Sequence, residues 1–150
     1  MIGPKLALFP FAEHRNDFYQ KRRPLLEAYL DQVRSVLTQE MNITFFEPIR
    51  SLERVREIVA SINLHHFDGA IFYFPIWVAP HFATVMANLL QLPILLLAND
   101  DIATSSLPGM LGCGAALDQV GLAHRRIWGQ IDDPKVLQSL KSFAKAAHAA

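Results

Sequence analysis

The chain has few of the residues that define several common classes of small protein. It contains one cysteine, Cys113, among 150 residues, so it can form no internal disulfide and fits a reducing cytoplasm. Lys plus Arg equals Asp plus Glu at 14 each, and the longest basic run is Lys21-Arg22-Arg23, so we expect no nucleic-acid partner. The longest apolar run, residues 92–98, is too short to cross a bilayer, and we expect neither a secretory signal nor a membrane partner.

Apolar residues, in contrast, make up 51% of the chain, enough for the full core of one domain. Short apolar runs alternate with longer stretches of helical spacing, and this alternation predicts five β-α units. The predicted strands are residues 5–9, 43–47, 69–74, 93–98 and 125–128. Such a succession favours an α/β doubly wound, three-layer sandwich around a five-stranded parallel sheet, in the flavodoxin-like order 2-1-3-4-5.

Prolines, glycines and capping residues predict where the helices begin and end. Residues 15–40 have helical spacing, and the continuous helix is expected to begin near Pro24, with that proline in its first turn. The other expected boundary residues are Ser51 as the N-cap of helix two, Pro80 and about Gln91 for helix three, Pro108 and Gly121 for helix four, and Asp132 or Asp133 followed by Pro134 for helix five.

The predicted strand order places a ligand site between the loops that follow strands one and three, residues 10–15 and 75–80. Trp77 would form a flat wall of that crevice, and Arg15 would offer a fork of donors. The predicted substrate-binding residues are Trp77, Arg15, His14, His81 and Asn99. Each of these can also be an ordinary polar or aromatic loop residue, and that alternative stays open.

Other combinations of polar residues give weaker indications of chemistry. Glu13 and Asp100 could act as an acid/base pair, and His14 and His81 could join Asp100 around a metal, but no recognised spacing requires either. The loop after strand one lacks the Gly, Ser or Thr cluster that cradles a phosphate, which argues against bound FMN. A lone G-x-G around Cys113 falls inside a helical pattern, where small residues would let helix four pack close to the sheet. We therefore expect no catalytic group and no metal site in this chain.

A little over half of the chain, from about Phe67, resembles the N-terminal domain of the L-fucose and L-arabinose isomerase superfamily. The segment DGAIFYF at 68–74, followed by Trp77, is similar to that family's third strand and loop. The succession SSLPG at 105–109, RRIWG at 125–129 and DDP at 132–134 resembles the family's N-S-L-C-G, F-x-x-V-x-G and D-D-P. Ser105 and Pro108 depart from the family's Asn and Cys.

The resemblance implies a part of an enzyme that interconverts an aldose and a ketose with a divalent metal, typically manganese. In that family the metal ligands and acid/base carboxylates come from later domains, so this segment alone would bind no cofactor and be inactive. The N-terminal domain contributes monosaccharide contacts and assembles with the remaining isomerase domains and neighbouring subunits. Trp77 resembles the aromatic substrate contact and Arg15 a basic one.

Two alternatives remain beside this interpretation. One is a stand-alone enzyme similar to a nucleoside deoxyribosyltransferase, which needs an acidic nucleophile in the helix after strand three. Residues 78–90 contain no Asp or Glu, which counts against it. The other is a non-catalytic oligomerisation module, which the sequence alone does not separate from an isomerase domain.

Overall fold

Five parallel strands form one sheet in the order β2-β1-β3-β4-β5, which confirms the predicted doubly wound topology. The structure is a computed structural model that describes residues 3–63 and 66–150. The strands are β1 Lys5–Pro10, β2 Asn42–Phe45, β3 Gly69–Phe74, β4 Ile94–Ala98 and β5 Arg125–Trp128. Strands β3 and β5 have the predicted bounds, whereas β2 begins one residue earlier than predicted and ends two residues earlier, at Phe45.

Five α-helices cover the two faces of the sheet. They are α1 Asn16–Glu40, α2 Leu52–Ser61, α3 His81–Leu90, α4 Ser106–Gln119 and α5 Pro134–Ala149, and a short 3-10 helix spans Ile102–Thr104. Side chains that alternate along the strands point to opposite faces, so that Phe72 packs with α2, α3 and α4 while its neighbour Tyr73 packs with α1 and α5. Because both faces are covered, β3 and β4 are apolar throughout. Among the described residues, no helix combines the length and apolar character needed to span a membrane.

Helix α1 starts eight residues before the predicted position, at Asn16, so that Pro24 lies inside it. An interior proline removes one helical hydrogen bond and costs about 3 kcal/mol. Tertiary contacts on both sides of Pro24 offset this cost. Arg22 donates to the Ala103 carbonyl oxygen at 3.0 Å, and Leu26 is fully buried with the loops that follow β1 and β3. These contacts join residues far apart in sequence, which is why local spacing placed the start of the helix wrongly.

The other helix ends agree more closely with the sequence. The Ser51 hydroxyl accepts the Arg54 amide at 3.1 Å, and Asp133 caps α5 by accepting the Lys135 amide at 2.9 Å, so both predicted N-caps are confirmed. Helix α4 begins at Ser106, two residues before the predicted Pro108, which lies in its first turn. The helix is followed by Gly121 in the left-handed conformation, with a φ of +75°, as predicted.

Candidate functional site

Trp77 lies in the loop between β3 and α3, at the carboxyl edge of the sheet, and its side chain is 43% exposed. Its backbone amide donates to the Thr104 carbonyl oxygen at 2.9 Å. Helix α4 fits against the same residue through Gly109, where a Cβ atom would come within 3.3 Å of the Trp77 Cα atom. The backbone of Trp77 is therefore fixed from two sides while nearly half of its side chain faces solvent.

The loop after β1 is organised around the carboxylate of Glu13, which is only 8% exposed. That carboxylate accepts from Arg15 Nε at 3.3 Å and pairs with His14 Nδ1 at 2.8 Å. Burial raises the pKa of Glu13, but hydrogen bonds and charge from Arg15, with a smaller effect from His14, outweigh burial and hold the pKa below its ordinary value. Glu13 is consequently an ionised group that positions its two neighbours.

The two basic side chains of this loop remain exposed beside aromatic rings. The Arg15 guanidinium lies 4.3 Å from the centre of the Phe18 ring. The His14 ring meets the Phe82 ring edge-on at 6.1 Å, and His81 lies 4.1 Å from the same Phe82 ring. His81 and Phe82 open α3, so the structure brings His14, from the loop after β1, and His81 to the same Phe82 ring at the switch point.

Asn99, unlike the exposed residues of the predicted site, is almost fully buried, at 5% exposure. Its Nδ2 donates to the Pro75 carbonyl oxygen at 3.0 Å, and its Oδ1 accepts from the Asp101 amide at 3.0 Å and the Thr104 hydroxyl at 2.8 Å. These bonds tie the loop after β3 to the loop after β4. The prediction that Asn99 contacts a substrate stays a prediction, and the geometry assigns it the positioning of the Trp77 loop.

Two residues that sequence reasoning missed complete this connection. The Ser106 hydroxyl donates to the Phe74 carbonyl oxygen and accepts from the Asn99 amide, while Thr104 Oγ1 accepts from the Ser106 amide at 3.1 Å. Ser106 and Thr104 are both fully buried. The available signal was the cluster of short hydroxyl side chains at 104–106, in the connection between β4 and α4, a composition that favours side-chain to backbone bonds.

The acidic side chains do not form the acid/base pair considered from the sequence. Glu13 follows β1 and Asp100 follows β4, and β3 lies between those strands. The Glu13 carboxylate bonds to Arg15 and His14. Asp100 accepts from Gln130 Nε2 at 2.7 Å instead. In residues 3–63 and 66–150, no three His, Cys, Asp or Glu side chains lie close enough together to hold a metal ion.

The G-x-G around Cys113 lies inside α4, and its two glycines differ. A Cβ on Gly114 would come within 2.5 Å of the guanidinium of Arg126 on β5, the end of a flexible side chain that can shift, whereas a Cβ on Gly112 would meet nothing within 4 Å. The packing explanation is therefore wrong for Gly112. Cys113 is fully buried, and burial raises its pKa to about 12, so the group is a thiol at neutral pH.

Comparisons with known proteins identify no family for this chain. None of the known protein families matches the sequence, and no curated protein matches it either. The function is therefore argued from the arrangement of residues at the carboxyl edge of the sheet.

Proposed function

We propose that this chain is the N-terminal substrate-contacting and assembly domain of an aldose–ketose isomerase of the L-fucose/L-arabinose type, acting in cytoplasmic carbohydrate metabolism. One observation carries the proposal: the half-exposed Trp77 ring stands on a fixed backbone at the carboxyl edge of a parallel sheet. Ligands of open α/β sheets bind at that edge, next to the switch point between β1 and β3.

A sugar suits the chemistry around this ring better than a phosphorylated cofactor does. An indole offers a flat apolar surface to the C–H face of a pyranose, and the exposed Arg15, His14 and His81 can bond to hydroxyl groups. Glu13 pairs with His14 and Arg15, and its negative charge disfavours a phosphate bound to those two side chains. Rigid placement also lowers the entropy lost on binding.

In this proposal the chain orients the substrate, and the reaction takes place on groups outside it. The pKa of Glu13 is lowered and its carboxylate is already bonded to its neighbours, so it is a weak general base. The described residues offer no cluster of three metal donors, so the divalent metal that the resemblance implies, manganese, would be held by the remaining isomerase domains. Exposed apolar side chains at the same edge, Ile102 at 94% and Phe18 at 46%, support a contact with those domains or with neighbouring subunits.

The test is the substitution Trp77→Ala in the full-length protein, assayed with Mn²⁺ against a set of aldoses and ketoses. We expect KM to rise about tenfold, equivalent to about 1.4 kcal/mol of binding, with kcat little changed because a wall binds ground state and transition state alike. Trp128→Phe is the matched control, since Trp128 is 51% exposed on the far edge strand β5.

Two results would contradict the proposal. One is a Trp77→Ala protein whose KM and kcat equal those of the unmodified protein for every sugar. The other is turnover of a sugar by residues 1–150 alone with Mn²⁺, because the catalytic groups would then lie in this chain.

A further inference from the structure

A small cavity lies on the face of the sheet that α1 and α5 cover, where α1 crosses the carboxyl ends of β3 and β4. Its volume is about 10 Å³, and its polar lining comes from Tyr29, Gln32, Tyr73, Asn99 and Gln130. A single water needs roughly 10–15 Å³ of this kind of space and two to four polar partners. The cavity therefore has room for one oxygen atom and a lining able to bind it.

The buried Tyr73 hydroxyl indicates that the cavity binds a hydrogen-bonding group. Tyr73 is 1% exposed, and its hydroxyl is the buried side-chain atom without a hydrogen-bond partner in the part of the chain that the structure describes. A buried polar group left unbonded costs about 1–3 kcal/mol, and such groups in native proteins usually have a partner. Burial raises the pKa of Tyr73 far above its ordinary value, against a smaller lowering effect of the nearby Asn99 amide, so the group is a neutral O–H at physiological pH. The Asn99 amide forms its hydrogen bonds with other groups, and the Tyr73 hydroxyl forms none with the described residues.

Acidic side chains bonded to the lining restrict the charge of what can bind. The Tyr29 hydroxyl donates to Asp101 Oδ2 at 2.5 Å, and Gln130 Nε2 donates to Asp100 Oδ1 at 2.7 Å. Two carboxylates so close to the cavity disfavour an anion. A neutral oxygen that both donates and accepts fits the phenol and amide groups inside.

We propose that this cavity is a binding site for one neutral hydroxyl oxygen, either a water molecule or one hydroxyl of a small polyol, and that the Tyr73 hydroxyl is its first partner. The site is separate from the Trp77 wall, because Tyr73 faces α1 and α5 while Trp77 packs against α4. It does not depend on the isomerase proposal.

The substitution Tyr73→Phe tests the site by the sign of its effect on stability. If the hydroxyl is bonded to a bound oxygen, its removal raises the equilibrium constant of unfolding in urea about fivefold. If the cavity is dry, removal of an unbonded hydroxyl leaves that constant unchanged or lowers it, and this result overturns the proposal. Tyr19→Phe is the control, since it removes the same group from a partly exposed ring that stacks under Arg50.

Nuclear magnetic resonance then separates the two sources of the oxygen. A long-lived water gives a cross-peak to the Gly129 amide that is lost in Tyr73→Phe. A polyol hydroxyl gives saturable shifts of the Gly129 and Gln130 amides on titration with glycerol, again lost in Tyr73→Phe. Either pattern supports the site, whereas destabilisation by Tyr73→Phe with neither signal contradicts it.

Discussion

The substitution Asn99→Ala tests whether one buried amide holds the Trp77 loop in place. Asn99 makes three hydrogen bonds, to the Pro75 carbonyl oxygen, the Asp101 amide and the Thr104 hydroxyl, at 2.8–3.0 Å. Alanine removes all three bonds and leaves those partners without the amide that satisfies them. The side chain connects two loops and also lines the small cavity beside Tyr73, so the substitution perturbs both places.

The loss of stability expected for Asn99→Ala follows from the three hydrogen bonds that the substitution removes. A net contribution of about 1 kcal/mol for each hydrogen bond gives a loss of about 3 kcal/mol in the free energy of unfolding. For a domain of this length, each kcal/mol shifts Tm by roughly 2–4 °C, so we expect Tm to fall by about 9 °C. Water that enters and bonds to the freed loop atoms would recover part of this stability. The loss of about 3 kcal/mol is therefore the upper end of the expected range.

Urea unfolding measures the free energy, and fluorescence reports on the loop. In a Trp128→Phe background, Trp77 is the only indole, and its emission should move to longer wavelength as the loop loosens. Asn88→Ala is the matched control, because it makes the same chemical change at an exposed position on α3, where alanine favours the helix. A loss below about 1 kcal/mol for Asn99→Ala, with unchanged emission, would refute the idea that Asn99 positions the loop.

Three smaller predictions address other parts of the molecule. Ser51→Ala should lower the free energy of unfolding by about 1 kcal/mol in urea titrations, because the Arg54 amide loses its cap. The pKa of Glu13 is lowered in the folded state, so its stabilising effect is present above its unfolded pKa and is lost as pH falls through the folded value. Stability measured from pH 6 down to pH 3 should therefore fall less steeply in Glu13→Gln, and an equal slope would contradict the role of Arg15. Cys113 should react with a thiol reagent only at the rate of unfolding, because it is buried and its pKa is raised to about 12, and rapid labelling of the native protein would argue against this.

The sheet could be predicted from the sequence because the local apolar pattern of its interior strands is enough to identify them. β3 and β4 are buried along their whole length, and a short apolar run between turn residues predicts such a strand. The edge strand β2 was harder to delimit. It pairs only with β1, from Asn42 to Phe45, and the apolar pattern continues beyond the last paired residue.

The candidate site was only partly predictable, because its geometry depends on bonds between residues far apart in the chain. The sequence showed that polar side chains follow β1, β3 and β4, and the strand order showed that these loops share one edge. It did not show that Asn99 would bond to Pro75, 24 positions earlier, or that Tyr29 would bond to Asp101, 72 positions later. An exposed asparagine and a buried one look alike in a single sequence, so loop positioning and ligand contact could not be told apart.

The contact between Trp77 and Gly109 joins two of the segments that resemble the isomerase family. In sequence they are unrelated, one a loop after β3 and the other the SSLPG segment that opens α4. In the structure they form one unit, because Gly109 leaves the space that the Trp77 backbone occupies and Thr104, just before that segment, accepts the Trp77 amide. A larger residue at position 109 would press on the Trp77 backbone rather than on a flexible side chain, so a fixed aromatic wall and a small residue at that turn of α4 depend on each other. That dependence explains how the Trp77 backbone is fixed, which is the geometric premise of the proposed ligand wall.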